Sequence, residues 1–143
     1  MYQRIFVPID GSPASNAALA EAIGLSKKLG AAMRLAHVYE SLRHTGSEGF
    51  IDLTERLKEE GKFLLAEAQK RCAESGVEAD TVLVDAAGRR IATAIVEEAA
   101  RWGAQLIVMG THGRHGFEHL ILGSVAEGVV RRAATPVLLI RAR

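Results

Sequence analysis

Between Gly110 and Ser124 the chain reads GTHGRHGFEHLILGS, four glycines and three histidines between two apolar runs. Gly110, Gly113 and Gly123 form G-x-x-G, nine residues, then G-S. Glycine leaves no side chain between backbone N–H groups and a ligand, and successive N–H groups in such a turn make a nest for anions. A helix opening near Ser124 and Val125 adds unpaired donors and a positive dipole end. Together these suit a polyphosphate; the competing reading is a loop that merely needs turns. The histidines raise a second possibility, because His112, His115 and His119 follow H-x2-H-x3-H. No nearby cysteine supports a zinc site there, and a glycine-rich loop positions ligands poorly. Asp10, in PIDGS, is the other chemically suggestive residue. It serves either as a turn and capping carboxylate or as an acceptor for ligand hydroxyl or amine groups.

Catalytic signatures are missing from the sequence. There is no G-x-x-x-x-G-K-[ST] phosphate loop and no G-x-S-x-G nucleophile elbow, and neither PIDGS nor the glycine-rich stretch contains a lysine.

Both loops need strands and helices to hold them, and the apolar pattern supplies these in alternation. RIFVPI (4–9) reads as a buried strand. The helix that follows has Ser12 as N-cap, Pro13 at its first position and Gly30 at its end. Ala18, Ala22, Leu25 and Leu29 are expected on its buried face. AMRLAHVY (32–39) is a second strand, and SLRHTGSEGF a polar loop containing His44. A long helix from about Ile51 to Glu74 carries Leu53, Leu57, Leu64, Ala68 and Cys72 on one stripe and ends at Gly76. VEADTVLVD (77–85) is a third strand, less uniformly apolar and so nearer an edge. Ile91, Ile95, Ala99 and Trp102 mark a third helical face, closed by Gly103. AQLIVMG (104–110), the helix SVAEGVVRRAA and the strand PVLLIRA (136–142) complete the order. Gly128 inside the last helix is expected to cost about 1 kcal/mol against alanine. The β-α alternation predicts one doubly wound α/β domain over residues 1–143, with a parallel sheet and helices on both faces.

Composition narrows the function. The 143 residues include 48% apolar and 24% charged types, ordinary for a globular domain. Residues 1–87 hold 10 basic and 13 acidic side chains, whereas 88–143 hold 8 and 4. That surplus favours a small anion near the C-terminal half and is far too weak for DNA. Aromatics are 5%, which argues against base stacking on single strands. One cysteine, Cys72, excludes an internal disulfide framework. No apolar run spans a bilayer and no secretory pattern precedes the first strand, so a cytoplasmic protein is expected.

GTHGRHGFEHLILGS, together with MYQRIFVPIDGS at the start and TPVLLIR at the end, resembles the universal stress protein family over nearly the whole chain. G-x-x-G-x9-G-[ST] marks its ATP-binding branch. The resemblance implies a Rossmann-like sheet of five parallel strands in the order 3-2-1-4-5, with strands 1 and 4 adjacent. It implies that Pro8 and Asp10 lie at the site, with Asp10 on the ribose. Val38 would hold the adenine edge, and Met109 and Gly110 line base and ribose. His112 and Gly113 would approach the phosphates, and Gly123, Ser124 and Val125 would bind them. A valine at 123 is then expected to obstruct the ligand while changing stability little. Mg²⁺ would be held through phosphate oxygens and water. Gln105 replaces a usual aspartate and touches the strand start, not the site. The implied function is that of an ATP-dependent regulatory or stress-response protein with at most slow hydrolysis. It would act through unidentified protein partners and form a homodimer through residues 136–141, without nucleic acid or membrane. The alternatives are an interaction scaffold of the same fold that binds no nucleotide, and a flavin-binding or electron-transfer module on a similar fold.

Overall fold

The computed structural model describes residues 1–41, 48–113 and 122–142. Nine elements alternate along it: β1 (Arg4–Pro8), α1 (Pro13–Leu29), β2 (Ala32–Tyr39), α2 (Glu48–Glu74), β3 (Ala79–Asp85), α3 (Ile91–Trp102), β4 (Leu106–Gly110), α4 (Ser124–Arg132) and β5 (Val137–Ile140). All five strands are parallel, in the order β3-β2-β1-β4-β5. The sheet order is the one the resemblance implies, and the strand order reverses between β1 and β4.

Successive strand residues point to opposite faces, and two apolar layers result. Ile5, Val7, Leu35 and Val108 pack with α1 and α2. Phe6, Ala36, Ile107 and Met109 pack with α3 and α4. Small residues let these layers close: Ala18 and Ala22 of α1 and Ala94 of α3 have no exposed surface.

Local signals set the ends of α1. Ser12 Oγ accepts the Ser15 N–H at 3.1 Å, and Pro13 opens the helix. Gly30 stops it at φ 65°, a left-handed conformation that costs glycine little. The expected helical stripes are partly displaced. Leu29 and Leu53 are each 44% exposed, while Leu19, Ile23 and Leu65 fill the core instead. Cys72 is fully buried in α2, and burial pushes its thiol pKa up.

Trp102, at the end of the expected α3 face, packs against the core only in part. It is half-buried, with the Arg4 and Arg34 guanidinium carbons 5.6 and 5.2 Å from its ring centroid. Phe6 lies 6.3 Å away on its apolar side. Arg4 also donates to the Trp102 carbonyl, and Arg34 forms a forked pair with Asp80 at 2.7 and 3.1 Å. Guanidinium groups stack on aromatic faces while keeping their charge near water, so this corner is closed by cations. Gln105 Oε1 accepts the Gln3 N–H at this same end of the sheet, far from the opposite loops.

Candidate functional site

The reversal between β1 and β4 opens a cleft of about 460 Å³ beyond the carboxyl ends of the strands. Open α/β sheets bind ligands at such a point. Pro8, Asp10, Val38, Met109, Gly110, His112, Gly113, Gly123, Ser124 and Val125 all line it. Sequence reasoning assigned Ile91 and Ile95 only to a helical face and left Thr111 and Ala126 unassigned; these line the cleft too. The α3 face therefore turns part of its apolar stripe toward the cavity, and nothing in its periodicity distinguishes a cavity from packed core.

Asp10 is a turn carboxylate that also lines the cleft. Its Oδ1 accepts the Ser12 N–H at 2.8 Å, and its own N–H donates to Ser15 Oγ at 3.1 Å. The same carboxylate stands at the cleft wall, where Oδ2 lies 2.9 Å from the position a Cβ on Gly113 would take. Glycine at 113 is what lets the two lips approach. Ser12 Oγ also reaches His112 O at 3.3 Å, joining them directly.

The opposite lip is the start of α4. Its first intrahelical bond runs from the Glu127 N–H to Gly123 O at 2.9 Å. The N–H groups of Ser124, Val125 and Ala126 thus have no partner within the helix. They add to the positive dipole end, so the wall favours an anion. Gly123 plays a different part from the one the resemblance implies. Its N–H already donates to Thr111 O at 2.7 Å, so it shapes the loop and leaves the donors to the residues after it. A Cβ on Gly123 would sit 3.0 Å from Thr111 O and 3.3 Å from His112 Cα. A valine there would press on the loop backbone as well as on a ligand, so a cost in stability is expected beside the loss of binding.

Gly110 is likewise a packing glycine, since its Cβ would fall 2.7 Å from Ala14 C and Cβ. Gly128 admits α4 to α3, where a Cβ would meet that of Ala92 at 2.6 Å. His112 Nδ1 lies 3.1 Å from Thr111 Oγ1. His115 and His119, the other members of the histidine spacing, lie outside the described residues, as does His44. Among the described residues no group of three or more His, Cys, Asp or Glu side chains could hold a metal ion. None of their helices is long and apolar enough to cross a membrane.

This architecture has known relatives. A universal stress protein of Methanocaldococcus jannaschii is 38% identical over 144 residues, covering 99% of this chain and 83% of the relative. The solved structure of the hypothetical protein MJ0577 superposes with a TM-score of 0.89 at 26% identity, covering 100% and 98% of the two chains. A universal stress protein solved in complex with cAMP is 28% identical, with a TM-score of 0.76 and 99% of each chain covered. The family model described as Universal stress protein family matches residues 1–141, and the chain belongs to that family.

Proposed function

We propose that this protein binds ATP in the β1–β4 cleft and acts as a nucleotide-dependent regulatory protein, a single domain working in the cytoplasm through protein partners. The observation that carries this reading is the meeting, in one cleft, of the open N-terminus of α4 with Asp10 across apolar walls. Pro8, Val38, Met109, Ile91 and Ile95 offer a flat ligand apolar contact. Asp10 accepts from ribose hydroxyls. The N–H groups of Ser124, Val125 and Ala126, with the Ser124 hydroxyl, hold phosphates. Cyclic AMP in a related structure supports an adenine nucleotide as the ligand class. Mg²⁺ would reach the site on the phosphate oxygens, neutralising charge between them. Asp10 is the one carboxylate among the described lining residues, and no lysine or arginine joins it. Hydrolysis in such a site is slow at most.

Calorimetric titration with ATP, ADP, AMP and cyclic AMP, with and without Mg²⁺, tests the reading. Ser124→Ala should cost ATP about 1.5–3 kcal/mol and leave adenosine nearly unaffected. Asp10→Asn, which keeps an acceptor for the Ser12 N–H, should weaken both alike. A protein that binds none of these nucleotides returns the fold to the role of a scaffold.

Assembly belongs to the same proposal. β5 is an edge strand whose four residues are all half-buried. The carbonyls of Pro136 and Ile140 accept from Ile107 and Thr111 of the β4 side. By strand alternation, Val137 and Leu139 present their backbone groups outward. Such an edge invites pairing, and two copies joined antiparallel through residues 136–141 would satisfy it. Leu139→Pro removes one outward donor and spares the bonds to β4. Sedimentation should then show a dimer for the parent and a monomer for the variant.

A further inference from the structure

The end of the β1–β2 ladder has an irregularity beside the cleft. Ile9 continues the ladder one step past β1, its N–H donating to Ala36 O at 2.7 Å. A regular parallel ladder would next return the Val38 N–H to Ile9 O. Here the His37 ring takes that carbonyl, with Nδ1 2.6 Å from Ile9 O. A carbonyl only accepts, so Nδ1 carries the proton. The N–H and C=O of Val38 leave the strand on the same side, toward the end of β1, and neither has a hydrogen-bond partner among the described residues. Val38 and His37 both line the cleft. The ring is held from behind by α2: a Cβ on Gly61 would lie 2.7 Å from His37 Cδ2 and 2.7 Å from Leu83 Cδ1.

We infer that His37 is a positioning residue for nucleobase recognition, which stops the β1–β2 ladder one step early and so keeps the Val38 N–H and C=O open to the ligand. A donor beside an acceptor matches a 6-aminopurine, whose N1 accepts and whose exocyclic amine donates. A 6-oxopurine offers the reverse order, N1–H beside a carbonyl. Discrimination between the two classes would then depend on a side chain that touches neither. This inference rests on the nucleotide reading above.

Three variants test it. His37→Leu removes the donor, His37→Asn keeps one, and Gly61→Ala pushes the ring from the helix side. In ligand-free protein, amide exchange at Val38 should slow by about tenfold in His37→Leu, because Ile9 O becomes available to it. In calorimetry, the preference for ATP over ITP should fall by about tenfold in His37→Leu and Gly61→Ala and be retained in His37→Asn. A merely structural role for His37 would weaken both nucleotides equally and leave the ratio unchanged. An unchanged ratio, or unchanged Val38 exchange, overturns the inference. Should the parent bind neither nucleotide, the nucleotide reading fails, and exchange at Val38 in the ligand-free protein still decides the role of His37. If His37→Leu does not fold, Gly61→Ala decides through the same ratio.

Discussion

The two lips of the cleft are built in different ways. The first, from Asp10 to Ser15, closes on itself through three hydrogen bonds: Asp10 N–H to Ser15 Oγ, Ser12 N–H to Asp10 Oδ1 and Ser15 N–H to Ser12 Oγ. Every partner is within five residues. The second, in its described residues 110–113 and 122–124, is shaped by distant neighbours. Gly110 is pressed against Ala14, Gly113 against Asp10, and α4 against α3 at Gly128. A ligand wall can therefore be made rigid either by local side-chain hydrogen bonds or by removing side chains where remote elements meet. The first lip holds its shape by contacts it makes, the second by contacts it avoids.

Substitutions that add one methyl group should break the second lip most. Gly110→Ala sets a Cβ against the backbone of α1, and overpacking of that kind should cost about 3 kcal/mol in urea titration. Gly128→Ala gains helix propensity but collides with Ala92, for a net loss of about 1–2 kcal/mol. Ala92→Gly in the same chain should recover part of that loss, as a double-mutant cycle would show. If the two substitutions simply add, the helices are not in the contact described. On the first lip, Ser12→Ala removes the cap of α1 and should cost about 1 kcal/mol, read as a lowered midpoint. Gly24→Ala sharpens the contrast with the smallest effect and the opposite sign. Gly24 lies inside α1 with nothing within 4 Å of an added Cβ, so alanine should stabilise by about 0.5–1 kcal/mol.

The same difference explains what could be read from the sequence. Ser12, Pro13 and Gly30 announce α1 because caps act over a few residues, and the alternation of short strands with helical stripes implied the parallel fold. The sheet order came from family resemblance, not from periodicity. The candidate site was legible as a list of residues that the fold brings together, but not in the part each plays. Gly123 looked like a phosphate donor, yet its N–H is committed to Thr111. Gly128 looked like a weak point in a helix, yet it fits Ala92. Both roles depend on residues remote in sequence, which a local pattern does not encode. Nothing in the sequence singles out His37, because its hydrogen bond replaces a ladder step that appears only once β1 and β2 are paired.

Trp102 is the chain's single tryptophan, and it sits at the end of the sheet opposite the cleft. Its indole, set between two guanidinium groups and Phe6, contacts β1 and β2 from the end of α3. Its fluorescence is therefore an optical report on whether three elements remain assembled, taken far from any bound base. Emission should shift to the red as the domain unfolds and stay constant as ligand is added. Stability can thus be followed at any nucleotide concentration without labelling the protein.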